Sequence, residues 1–188
     1  MDAFLGGIME TEYEVRVLDI DVHNLISKLE SLGATKKGEY FQRRYVYDFK
    51  PKIEGKWIRL RTNGEVTTLT IKDRYNDQSI SGTLELEEKV EDFDKTHLIL
   101  KELGYEETAY QENKRISYVL DDIELDIDSW PLIPTYLEIE GKSEESVKKY
   151  IELLGLQDYE ITSEGVTKVY ARYNVDLDSY KELKFEEG

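Results

Sequence analysis

The stretch Glu10–Val17 reads ETEYEVRV, so that Glu10, Glu12, Glu14 and Arg16 alternate with Thr11, Tyr13, Val15 and Val17. In a β-strand this period of two puts the ionisable side chains on one face and the strand-forming ones on the other. Three carboxylates two residues apart repel one another unless water, cationic side chains or a metal ion neutralises them, and hard divalent cations suit clustered oxygen donors. The plain alternative is a strand with one solvated face. The rest of the chain decides between the two.

The pattern recurs. Glu85, Glu87 and Lys89 oppose Leu84, Leu86 and Val90, and Glu138 and Glu140 oppose Leu137 and Ile139. Each of the three acidic strands precedes an amphipathic helix that finishes in Leu-Gly, at Gly33, Gly104 and Gly155. The expected apolar faces are Val22, Leu25, Ile26, Leu29 and Leu32 in the first helix and Leu98, Leu100 and Leu103 in the second, and the third runs Glu144–Leu154. Asp21, Asp92 or Asp94, and Ser143 stand where N-caps belong.

Other strands carry the opposite charge. Trp57, Arg59 and Arg61 share one face of Trp57–Arg61, Asn63-Gly64 signals a type I′ turn, and Val66–Asp73 returns with Thr68, Thr70 and Lys72 on one side. Tyr40–Phe49, rich in aromatic and β-branched residues, reads as a strand, as do Glu112–Leu120 and Ile123–Asp128, the latter with Glu124, Asp126 and Asp128 on one face. The polar stretch Arg74–Gly82 reads as a mobile loop, and Trp130–Pro134 as a loop bounded by prolines. Solvated strands usually mix Thr, Ser, Lys and Glu on the wet face; here acids and bases sit on separate strands. If the apolar faces pack under helices, the charged faces point the other way, and about eight such strands close into a barrel with a charged lumen. Unpaired buried charges are too costly for a dry core, so the lumen must hold water, metal and an anion.

Composition narrows the function. A chain of 188 residues fits one domain, expected over 10–175, with an N-terminal extension at 1–9 and an acidic C-terminal tail at 176–188 that frays from Lys181. The absence of cysteine excludes disulfides, thiolate metal sites and thiol catalysis, and two histidines, His23 and His97, both expected on helix surfaces, argue against a histidine-rich zinc site. Any metal is then held by carboxylates. A formal net charge of −16 disfavours nucleic acid and anionic membranes as partners. The N-terminal MDAFLGGIM lacks the basic region and long apolar core of a signal peptide, and no apolar run reaches bilayer length, so a cytoplasmic protein is expected.

Glu12-x-Glu14-x-Arg16, Arg59-x-Arg61, Lys72, Glu85-x-Glu87, and Leu125-Asp126 followed by Glu138-Ile139-Glu140 occur in an order that resembles the CYTH domain, the triphosphate tunnel metalloenzymes. The resemblance spans nearly the whole chain. Arg16 stands where the family signature has Lys, Arg44 replaces an acid of a tyrosine-rich segment, and the Trp130–Pro134 loop is longer than usual. Arg115 fits the basic pair of a later strand, with Lys114 or Asn113 in place of the second cation.

The resemblance implies an α+β fold, an eight-stranded antiparallel tunnel that binds a triphosphate with Mg2+ or Mn2+. It implies Arg16, Arg59, Arg61, Lys72, Lys114 and Arg115 as substrate-binding residues; Lys168, in VTKVYARY, is expected to join them from the tunnel mouth. Glu12, Glu14, Asp126, Glu138 and Glu140 are the implied metal ligands, and Glu14, Glu138 and Arg16 the residues nearest the chemistry. For Arg59 and Arg61 the plain alternative is an ion pair across the lumen to Glu85 or Glu87. The expected activity is hydrolysis of inorganic triphosphate or a small organic triphosphate. An adenylyl cyclase and a non-catalytic polyphosphate-binding module are the alternatives, and dimerisation is left open.

Overall fold

In β1 (Glu10–Val17) the alternation is realised physically: Val15 and Val17 are buried in an apolar cluster outside the barrel, while Glu14 and Arg16 line a cavity within it. The computed structural model describes residues 9–186, so residues 1–8 of the expected extension lie outside the described residues. From β1 the chain continues through α1 (Val22–Ser31), β2 (Thr35–Asp48), β3 (Lys56–Thr62), β4 (Thr67–Arg74), β5 (Thr83–Val90), α2 (Phe93–Glu102), β6 (Glu107–Leu120), β7 (Ile123–Ser129), β8 (Tyr136–Gly141), α3 (Glu144–Leu154), β9 (Ile161–Thr162), α4 (Val166–Arg172) and β10 (Glu182–Leu183).

Strands β6, β2, β3, β4, β5, β1, β8 and β7 pair in that order, and β7 pairs again with β6, which closes an eight-stranded antiparallel barrel. Closure leaves no exposed edge along this circuit. β1 does double duty, with Glu10–Glu12 against β5 and Tyr13–Val17 against β8. The short β9 and β10 add to β1 and β6. No helix among the described residues is long and apolar enough to cross a membrane.

The core lies outside the barrel wall, under the helices. Leu25 and Leu29 of α1 and Val147, Tyr150, Ile151 and Leu154 of α3 cover Val15, Val17, Leu125, Ile127, Leu137 and Ile139. Each fully buried aliphatic side chain of this kind contributes roughly 1.5–3 kcal/mol. Asp21 and Ser143 accept the capping N–H groups, and Gly33, Gly104 and Gly155 end their helices at φ of 81°, 88° and 72°.

Five local expectations need correction. The inward face of α2 is Phe93, His97 and Leu100, whereas Leu98 and Leu103 are exposed. His97 stacks on Tyr45 at 4.0 Å and pairs with the Tyr47 hydroxyl at 2.8 Å, so it packs on the barrel instead of facing solvent. The β3–β4 turn is not type I′, which needs positive φ at both central residues; only Gly64 has it, at 91°. Asn63 instead accepts the N–H groups of Glu65 and Val66 through its side chain. The 75–82 loop is docked, since Ile80 O accepts Glu14 N–H at 3.1 Å and Asp77 O accepts Ser163 Oγ–H at 2.8 Å. The C-terminal stretch is held as well: Leu177 and Leu183 are buried with Trp130, Val169 and Tyr170, and Leu183 pairs with Gln111.

Candidate active site

The barrel encloses a cavity of about 620 Å3, lined on opposite sides by acids and by arginines. On the acidic side β1 and β8 lie in register, Glu14 opposite Glu140 and Arg16 opposite Glu138. One carboxylate oxygen from each of Glu14, Glu138 and Glu140 lies within 4.8 Å of the others.

These three carboxylates do not share one electrostatic state. Burial opposes the charge on Glu14, yet Arg16, Lys72 and Arg74 together outweigh it and hold the carboxyl well below the usual range. Arg16 and Arg74 both reach Glu14 Oε1, at 3.1 and 3.0 Å. Burial raises Glu138, against the pull of Arg16 at 3.4 Å and Arg115 at 3.7 Å. Glu140 has no cation within 4.0 Å among the described residues, and burial, reinforced by Glu14, Glu12 and Glu138, pushes it up to about 8. A partly neutralised, all-oxygen cluster fits a hard divalent cation, which would supply the missing positive charge.

On the other side, Arg59 and Arg61 of β3 face the cavity with ion pairs that are long: Arg59 to Glu87 at 3.3 Å and Glu85 at 3.7 Å, and Arg61 to Glu87 at 3.7 Å. The ion pairs expected as the plain alternative therefore exist, and the guanidiniums still line the cavity. Burial, then the neighbouring charges of Arg59 and Arg115, pushes Arg61 down to about 10. Lys72 sits between Glu12 at 2.7 Å and Glu85 at 2.6 Å. Arg115 grips Asp128 through both Nε and Nη2, at 2.7 and 2.5 Å, and reaches Asp126.

Of the expected metal ligands, Glu14, Glu138 and Glu140 are brought together, whereas Glu12 is engaged by Lys72 and Asp126 by Arg115 and Ser117. Lys168 stands at the cavity rim on α4, paired with Asp77 at 2.9 Å. Lys114 is displaced from the site altogether. Strand alternation sends it to the outer face opposite Arg115, where its Nζ lies 4.7 Å from the Phe185 ring centroid.

Two cavity arginines escaped the sequence reading. Arg74 continues the inward series Thr68, Thr70, Lys72, and it links Glu14 to Ser163 O at 2.7 Å, but the polar residues after it suggested a loop. Arg44 shares its face of β2 with Gln42, Val46 and Asp48, an alternation present in the sequence but overshadowed by the aromatics between them. Trp130 and Tyr136, both buried, also line the cavity.

A family profile described as the CYTH domain matches residues 10–170. A Methanocaldococcus jannaschii protein provisionally named an adenylate cyclase is 28% identical over 134 residues, covering 69% of this chain and 75% of that protein. A Vibrio parahaemolyticus structure provisionally described as an adenylate cyclase superposes with a TM-score of 0.71 at 12% identity, covering 86% of this chain and 98% of that one. A Hippeastrum structure, described as an adenylyl cyclase candidate with a dominant triphosphatase activity, superposes with a TM-score of 0.55 at 16% identity, covering 88% of this chain and 95% of that one.

Proposed function

Because the chain belongs to the CYTH domain family, we propose that it is a divalent-metal-dependent hydrolase that holds a triphosphate compound inside its barrel. The observation that carries this reading is the pair of facing charged walls: acids whose charge is resisted by burial on β1 and β8, and crowded guanidiniums on β3 and its neighbours. A metal ion on one wall and a polyanion bridging to the other would neutralise both.

In this reading Arg59, Arg61 and Lys72 donate to phosphoryl oxygens, and Arg115 joins them while keeping its grip on Asp128. Arg16 fixes the carboxylates of Glu14 and Glu138; as a guanidinium it is not a general base. A Mg2+ or Mn2+ ion held by Glu14, Glu138 and Glu140 would neutralise phosphoryl oxygens and supply a polarised water. Phosphoryl transfer asks mainly for positioning and charge neutralisation, which these side chains offer. Glu12 and Asp126, already bound to Lys72 and Arg115, tune those cations instead of adding ligands. Lys168 and Asp77 stand where substrate enters. The lack of cysteine and the acidic surface support action in the cytoplasm, away from nucleic acid and anionic membranes.

A second reading, an adenylyl cyclase, is favoured by the name of the archaeal relative. Incubation with tripolyphosphate, thiamine triphosphate and ATP, each with Mg2+ or Mn2+, separates the two. Orthophosphate release is the expected result, and cyclic AMP with pyrophosphate from ATP would favour the cyclase. No turnover of any of the three would contradict both.

A further inference from the structure

Six of the cations lining the cavity, Arg16, Arg59, Arg61, Lys72, Arg74 and Arg115, each have a carboxylate within 4.0 Å. Arg44 has none among the described residues, although it is 8% exposed. Its Nη2 donates to the amide oxygens of Gln42, at 3.1 Å, and Asn113. Neither acceptor carries charge. Asp128, the acid that acts on it most, is already gripped by Arg115 and also accepts Asn113 Nδ2–H at 3.2 Å.

An arginine kept for stability would have a carboxylate, because a buried charge without one is strongly unfavourable. Here the surroundings make matters worse: burial first, then the charges of Arg61, Arg59 and Arg115, all disfavour the ionised form. The geometry nonetheless presents the group. One face of the guanidinium lies on the Trp130 ring, 4.5 Å from its centroid, and one edge is fixed by Gln42 and Asn113. The Nε–H has no partner among the described residues, and the side chain lines the cavity beside Arg59 and Arg61.

We propose that Arg44 is a further substrate-binding residue, whose guanidinium forms with Arg59 and Arg61 a subsite for an unesterified phosphoryl group. The inference rests on the tunnel being a triphosphate site and adds to it a fourth arginine beyond Arg59, Arg61 and Arg115. A phosphoryl group supplies what the pocket lacks: multiple negative charge and several acceptor oxygens matched to a planar fork. The stacking on Trp130 and the two amide contacts hold that fork in advance, so little freedom is lost on binding.

The test is calorimetric titration of tripolyphosphate in the presence of Mg2+, together with the melting temperature of the ligand-free protein, for wild type, Arg44→Gln and the neutral, similarly sized Arg44→Met. The expected result has opposite signs in the two readouts. Affinity falls by roughly 10- to 100-fold, the range for losing charge-assisted hydrogen bonds, while the ligand-free melting temperature rises because an uncompensated charge is gone. Wild-type affinity in both variants, with a lowered melting temperature, would make Arg44 a structural residue and overturn this proposal alone. A wild-type protein that binds no tripolyphosphate would overturn the triphosphate reading and this proposal with it.

Discussion

The two walls of the barrel are unequal in how they tolerate their charge. The acidic wall, Glu14, Glu138 and Glu140, is stitched at one end by Arg16 and Arg74 and left without an ion pair among the described residues at the other, where burial and the neighbouring acids outweigh the pull of Lys72 on Glu140. The basic wall is paired at Arg59 and Arg61 by long contacts to Glu85 and Glu87 and left bare at Arg44. Each wall is therefore partly compensated from within and incomplete toward the cavity. A stable barrel needs the first property, and a ligand-binding one needs the second.

The sharpest way to break this symmetry is to neutralise an acid that Arg16 and Arg115 already hold. Glu138→Gln should leave a folded barrel, since the amide keeps the shape, while metal-dependent triphosphate turnover falls by at least about 100-fold in a phosphate-release assay. Retained turnover would remove Glu138 from the site. On the facing wall, Arg59→Ala should weaken tripolyphosphate binding by roughly 10- to 100-fold in a calorimetric titration, because it removes charge-assisted donors that Lys72 and Arg115, tied more closely to acids, do not replace.

A pH series probes the bare end of the acidic wall. Glu140 is raised from its ordinary value to about 8, so its share of metal-free stability is fully present below the ordinary carboxyl range and is lost as pH rises toward 8. The melting temperature without metal should therefore carry a decline over this window, to which the raised Glu12 and Glu138 also contribute, and which Glu140→Gln makes shallower and saturating Mg2+ offsets. An identical pH profile in wild type and Glu140→Gln would contradict the assignment. The smallest effect is expected next door to the site: Lys114→Ala, on the outer face beside Arg115, should leave tripolyphosphate affinity within about two-fold of wild type.

What the sequence makes legible follows the range over which each signal acts. The alternation in β1, β3, β4, β5 and β8 is local, and side-chain period separated their charged faces from their apolar ones, Arg74 at the end of β4 excepted. The N-terminal half of β2 and residues 107–111 of β6 have no comparable apolar period, because each is a strand by virtue of a distant partner: Thr35–Phe41 pairs with Lys114–Val119, and residues 107–111 pair with Arg44–Tyr47, along the longest ladder of the barrel. Such non-local pairing leaves little local trace. Arg44 was visible only as a departure from the family pattern, and its meaning depends on Arg59, Arg61 and Arg115, which no short window contains. Lys114 was misplaced for a simpler reason, since its immediate neighbour Arg115 took the inward position and a strand can turn only one of the two inward.

The most direct measurement of the central claim is a crystal soaked with Mn2+ and tripolyphosphate and recorded at an anomalous wavelength. The expected result is manganese bonded to oxygens of Glu14, Glu138 or Glu140, with polyphosphate density running from the metal to the guanidiniums of Arg59, Arg61 and Arg44. Manganese and phosphate bound only on the outer surface, with the tunnel holding neither at saturating concentration, would contradict it.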